Sequence, residues 1–449
     1  MLSRGDIGLG GGVFVTEWRQ RSTMTRWGTT IGFTNRRAVT LGLALAAITA
    51  AGGSLFFVGC AEEPTSHRAE SATGNDNSSG IAAKSESGTG QTSSTSSGAA
   101  ALPPKDGGFV ERNLEMDTAH DVDYLAMQVA LRRTLTQLDP EVGRSTVLTT
   151  GDVVVETAAE LVRALARAKR GQIVFVRDRK ALDLSAEKTL RIPAGVTLAS
   201  TRGNPGSLGA LLFTNKPDAT LFIAEADAAV IGLTLMGPDP SRRTYQLERL
   251  QNEGGKGGYY FVPTSLGVSV EGANVRVENC ELWAWSRAAV AVGPSGSGTK
   301  VRHNFIHHNQ RHGLGYGVSV DRAEVLIEAN LFDWFRHCVA GTGLPGTGYE
   351  ARYNFILSNG AGHAFDMHGG KDREDGTDIA GSWAKIHHNI VEYVFFPAIE
   401  IRGTPIDGIE IYENQFQNPD PARTIVLKSG PERIEIVGNE YGVASIREK

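Results

Sequence analysis

The sequence predicts an all-β protein wound as a right-handed parallel β-helix with an N-terminal helical cap, and three observations predict it. Asparagines recur in one local context at Asn279, Asn304, Asn330, Asn354, Asn389, Asn414 and Asn439, at intervals of 25, 26, 24, 35, 25 and 25 residues. A fixed period of this size marks a stacked repeat. Short alternating runs such as Val275-Arg276-Val277 and Ile409-Glu410-Ile411 lie beside these asparagines, which is the pattern of half-buried strands. Further runs follow at Ala289–Val292, Gly317–Val320, Ala364–His368, Ala398–Arg402 and Thr424–Lys428. Glycine is abundant, at 54 residues, as a fold made largely of turns requires. The period is too short for a propeller blade and lacks the leucine-rich frame. It suits one coil of three strands, with equivalent residues stacked about 4.8 Å apart and the asparagine amides forming a ladder.

The chain begins with a different kind of segment. Arg36-Arg37 precedes an apolar run from Ala38 to Val58 that ends Phe57-Val58-Gly59-Cys60. A basic start, an apolar stretch and a small residue before the break form an export signal. Gly59-Cys60 resembles the bacterial lipobox, which implies a lipidated Cys60, a signal over residues 1–60 and a membrane-anchored protein facing the periplasm or cell surface. The alternative is a plain transmembrane anchor, since the run is long enough to span. Met24 offers a second start site. Residues 61–105 are Ser-, Gly-, Thr- and Ala-rich with almost no large apolar residue, the composition of a disordered tether. With three cysteines in all, a disulfide framework is not expected. The net charge of −5 argues against nucleic-acid partners.

Residues 106–171 read as a helical cap region. Tyr124, Met127, Leu131, Leu135 and Leu138 form a helical stripe ended by Asp139-Pro140. A second helix from Thr157 to Arg170 opens with the capping box Thr157…Glu160 and stops at Gly171. An open β-helix end exposes unpaired backbone, so this helix is expected to cover it, with the first helix nearby. Residues 172–449 are the coils, interrupted at Arg242–Tyr260 by a polar glycine-rich loop. Its Tyr259 and Tyr260 are candidates for stacking on a sugar ring.

The 35-residue interval carries the densest chemistry, from Gly362 to Arg373, and its surplus falls after His368. Phe365 and Met367 align with Ile399 and Ile401 and face inward, so Asp366 and His368 face outward. Stacking places Asp366 beside Glu400 and His368 beside Arg402. A loop bearing Lys371, Asp372 and Arg373 overhangs them. Adjacent carboxylates are expected to raise one pKa, and Arg402 to bias His368 toward neutrality. Arg402 and Lys371 suit a sugar carboxylate. Asp366, His368, Glu400, Arg402, Lys371 and His363 are therefore the candidate catalytic groups. His312, Tyr316, Asp321 and Lys428 are candidates for substrate contact along the same groove.

From Val153 to the C-terminus the chain resembles the pectate-lyase-like β-helix superfamily. Within it, Phe365-Asp366-Met367-His368 resembles the Phe-Asp-Pro-His segment of mannuronan C5-epimerases, which implies catalytic roles for Asp366 and His368. That family carries a Tyr where His363 stands and a Lys one coil earlier, where this chain has Ala340 and Thr342. The superfamily also implies a Ca²⁺ site, with Asp366, Glu400, Asp372 and Asp375 as candidate oxygens. Three reactions of an acidic polysaccharide stay open: β-elimination, C5-epimerisation, and hydrolysis through Asp366 and Glu400. A non-catalytic glycan-binding or periplasmic metal-assisting protein is the alternative.

Overall fold

The computed structural model describes residues 126–239, 263–311, 313–430 and 432–444, with short strands at Glu17–Trp18, Thr30–Ile31 and Ala38–Thr40. Cys60, the 61–105 segment, Tyr259, Tyr260 and His312 lie outside the described residues. Among the described residues, three all-parallel sheets of eleven, ten and nine strands run the length of the coils. Each coil takes one strand from each sheet, as in Phe365–Met367, Trp383–His387 and Ile390–Val391, before Ile399–Ile401 begins the next. This is the right-handed parallel β-helix the repeat predicts.

One continuous core fills the coils, from Leu161 and Val174 through Val268, Phe332 and Phe365 to Ile411 and Phe416. The helix Ala158–Arg167 closes the N-terminal end, burying Leu161 and Leu165. Thr157 caps it, accepting from the Glu160 amide while the Glu160 carboxylate accepts from the Thr157 amide. A strand, Val153–Val155, joins the eleven-stranded sheet ahead of this helix. The first helix, residues 126–138, is not beside the cap. It lies along the corner between two sheets, with Met127 and Leu131 on Phe305, Leu331 and Phe355, and Leu135 on Ala329.

The asparagine ladder is present with one correction. Strand register pairs Glu278 with Arg302, so the residue opposite Asn304 is Cys280, not Asn279. The rungs are Asn304, Asn330, Asn354, Asn389, Asn414 and Asn439. Asn304 accepts at Oδ1 from the Cys280 amide at 2.9 Å, and each of the other five accepts from the amide and the Nδ2 of the asparagine one coil earlier, all at 2.9–3.0 Å. The residue before each rung takes a left-handed conformation in coil after coil: His303, Ala329, Tyr353, His388 and Glu413 have φ between 53° and 58°. Non-glycine residues adopt that region at a cost, which the ladder bonds offset. Asn279 occupies this turn position in its own coil, with φ 55°, and this explains the one-residue slip in the sequence pattern.

Candidate active site

The candidate residues gather on the outer face of the nine-stranded sheet. Register aligns Ser319, Ala340, Asp366, Glu400 and Val426 in one column. The column beside it runs Asp321, Thr342, His368, Arg402 and Lys428, as the alternation predicts.

Asp366 faces out of the coil yet is fully buried, because neighbouring side chains close over it. Arg402 grips it with Nε on Oδ1 and Nη2 on Oδ2, both at 3.0 Å. His368 places Nε2 2.9 Å from Oδ2, and His337, one coil earlier, brings its Nε2 to 3.7 Å. Burial alone would raise this carboxyl's pKa; His337, His368 and Arg402 outweigh it and hold the group well below its usual range. Glu400 behaves likewise. Burial pushes it up, but His363, whose Nε2 contacts Oε2, together with Lys428 at 3.2 Å and Arg402, brings it down to about 2.

The expected raised carboxyl is therefore absent. Asp366 and Glu400 are register partners, but each faces its own cations, and cationic neighbours within about 4 Å favour the charged form. The expected free guanidinium is also corrected: Arg402 spends its fork on Asp366 and sets Nη1 3.5 Å from Asp372.

Two carboxylate–histidine pairs result. The Nε2 of His368 is buried 2.9 Å from Asp366 Oδ2, an ion-pair contact outside hydrogen-bond geometry, while the side chain keeps 27% exposure, so the ring turns its other edge to solvent. His363 has Nε2 on Glu400 and Nδ1 3.3 Å from the Pro397 carbonyl, so both ring nitrogens face oxygens. A stack of rings leads to this point. Tyr316 lies 5.7 Å from His337, and His337 lies 5.4 Å from His363, each nearly parallel. His337 donates its Nδ1 proton to the His363 carbonyl at 2.8 Å, and burial brings its pKa down to about 3. His337 is not among the candidates drawn from the sequence. Its 26-residue spacing to His363 is the signal that places it in the site.

The remaining candidates are less central. Lys371 does not overhang the strip: its side chain is 82% exposed and lies 4.0 Å from Asp378. Arg373 pins the inserted loop, donating to the carbonyls of Thr342, His368 and Ile379. Tyr316 is buried with its hydroxyl donating to the Gly313 carbonyl. Asp321, two coils from His368, accepts from Thr342 and pairs with Arg322. Phe396 sits edge-on to His363 at 6.2 Å, and Phe395 beside it is 74% exposed.

A Ca²⁺ ion does not fit these residues. Asp366, Glu400 and Asp372 already face Arg402, Lys428, His363 and His368, and Asp375 is held by Arg373 and Thr377 in the loop. Among the described residues no group of three or more His, Cys, Asp or Glu side chains is placed to hold a metal.

Two consequences are measurable. Gly343 has φ 71°, and a Cβ there would collide with the His368 carbonyl oxygen. Gly343→Ala is expected to cost at least about 1–3 kcal/mol in thermal melts, because the backbone at His368 must shift. The second consequence concerns acid. Depressed carboxyl pKa values contribute stability above the unfolded value near 4.5, and this stability is lost as pH falls toward 2. Neutral, buried His337 adds a penalty that begins near pH 6.5. Urea titrations at descending pH should show this loss, and Glu400→Gln should flatten it below about pH 4.5.

No protein-family description matches this chain, and no curated protein matches it either. Among solved structures, the PL6 family alginate lyase AlyGC is 13% identical over 67% of this chain and 41% of that one, with a TM-score of 0.39. The catalytic unit of a GH87 α-1,3-glucanase from Streptomyces thermodiastaticus is 12% identical over 65% of this chain and 57% of that one, at 0.38. The surface adhesin PfbA of Streptococcus pneumoniae is 11% identical over 66% and 90%, at 0.34. The chain thus spans under half the length of that lyase. Likeness of this depth says nothing about reaction or ligand.

Proposed function

We propose that this chain is an exported, lipid-anchored protein that carries out histidine acid/base chemistry on an acidic polysaccharide, by β-elimination or C5-epimerisation. The observation that carries the reading is the pair of partly exposed histidines, each set by its own carboxylate on adjacent coils: His368 on Asp366 and His363 on Glu400. On His368 the carboxylate takes one ring nitrogen and leaves the other open for proton transfer, whereas His363, with Nδ1 on the Pro397 carbonyl, exchanges a proton at the Nε2 it shares with Glu400.

His368 takes the proton α to the sugar carboxylate, and the electron pair passes into that carboxylate as an enolate. In elimination the pair returns to form the C4–C5 double bond as the C4–oxygen bond breaks. The leaving oxygen then takes the proton shared by His363 and Glu400. In epimerisation the proton shared by His363 and Glu400 is delivered instead to the opposite face of C5, His368 keeps the proton it took until solvent exchanges it, and no bond to oxygen breaks. Lys428, 57% exposed, supplies positive charge near the substrate carboxylate. Phe395 and Phe396 offer a sugar ring an apolar face beside His363. Hydrolysis by two carboxyls is less well supported, because it needs one of them protonated, and both are held ionised.

The test uses residues from about 106 onward with a panel of uronate and neutral polysaccharides. Ultraviolet absorbance with new reducing ends identifies elimination. Solvent deuterium at C5 without new ends identifies epimerisation. New ends without absorbance would sink the histidine reading in favour of hydrolysis. The absence of all three signals would leave a glycan-binding protein.

A further inference from the structure

A second cleft lies on a different sheet, over the last coils, and the chemistry just described does not use it. It has a volume of about 480 Å³ and is lined by Trp383, Lys385, Asp407, Gly408, Glu410, Arg433 and Glu435, among others. That volume falls within the ~300–1,000 Å³ of small-molecule sites.

Its architecture follows from one outward column of the eleven-stranded sheet: Glu324, Gly348, Trp383 and Gly408. Trp383 stands between two glycines. A Cβ at Gly348 would come within 2.5 Å of the indole, so the ring rests on bare backbone there. Its Nε1 donates to Glu324 at 3.3 Å, which fixes the ring's orientation. On the other side Gly408 supplies no side chain, the Cβ and carbonyl of Arg433 pack close over it, and both residues line the cleft.

The groups around that space are polar and largely uncommitted. Lys385 pairs with Glu410 at 3.2 Å and lies over the Tyr412 ring. Asp407, Arg433 and Glu435 have no side-chain hydrogen bond or ion pair among the described residues. With Glu432, the lining carries four carboxylates against two cations.

We infer that this cleft is a second carbohydrate subsite, which stacks an uncharged sugar ring on Trp383 and takes its hydroxyls on Asp407, Glu435 and Arg433. A fixed indole beside an open space presents an apolar surface of the kind a pyranose C–H face covers. Carboxylates accept from sugar hydroxyls through charge-assisted bonds. The excess of negative charge selects against a uronate, the reverse of what the histidine strip asks for. The inference stands whether or not that strip is catalytic.

The test is calorimetric titration of the full chain with neutral gluco-, manno- and galacto-oligosaccharides, with oligogalacturonate as the contrast. Saturable binding of at least one neutral oligomer is expected, weakened about tenfold or more in Trp383→Ala and largely kept in Trp383→Phe. His368→Ala should leave it unchanged, which separates this site from the strip. Asp407→Ala, an exposed position that poses no folding problem, should weaken it several-fold. The inference is overturned if no neutral oligomer binds, if Asp407→Ala and Trp383→Ala both bind as the parent does, or if oligogalacturonate competes at this site.

Discussion

His368→Ala is expected to lower turnover of a uronate polymer by about 10²–10⁴-fold, the usual worth of a positioned acid or base. Its melting temperature should stay close to that of the parent, since the side chain is partly exposed and outside the core. Asp366→Asn gives the informative contrast. It removes the same chemistry, because the amide no longer orients the ring as a carboxylate does, and it also leaves Arg402 without its buried partner. Breaking a buried pair from one side costs about 3–5 kcal/mol. Folded His368→Ala with activity gone, beside Asp366→Asn with both activity and stability lost, is the expected pattern. If His368→Ala keeps its activity and pH profile, Asp366, His368 and Arg402 form an ion-pair cluster and nothing more.

The second large effect belongs to the ladder. Asn354 accepts two hydrogen bonds from Asn330, and its Nδ2 donates to the Ile327 carbonyl and to Asn389. Asn354→Ala deletes all four and strands the Asn330 amide and the Ile327 carbonyl in a buried corner. At about 1–3 kcal/mol for each buried group left unsatisfied, the expected loss is roughly 3–5 kcal/mol. Asn439→Ala, at the partly buried last rung, should cost far less. Chemical unfolding of the two variants checks the difference, and equal costs would mean that the rungs do not act through burial.

The period made the fold legible before any coordinate. Repeating asparagines, alternating runs and a capping box each translate directly into rungs, strands and the cap helix. The slip at Asn279 arose because an asparagine suits a left-handed turn as well as a rung, and only strand register distinguishes the two. The site was half legible. Alternation correctly aligned Asp366 with Glu400 and His368 with Arg402. What it could not supply was which side chain reaches which: Arg402 crosses to Asp366, and His363 reaches the next coil to meet Glu400. These diagonal contacts depend on side-chain length and rotamer, which have no period. The reversal of the expected carboxyl pKa followed from them. Lys371 was misplaced for a related reason, since the inserted loop is anchored by Arg373 and has no repeat to read.

That inserted loop has a bearing on how such a chain can change. Between Asn354 and Asn389 the chain spends 35 residues where neighbouring coils spend about 25, yet the rung across the gap closes at 3.0 Å like the others. The extra length leaves the stack at one corner and returns to it in step. A lineage carrying this architecture is thus free to lengthen, shorten or rewrite the wall beside His368 by insertion and deletion, while the pitch that sets Asp366 against Arg402 is inherited untouched.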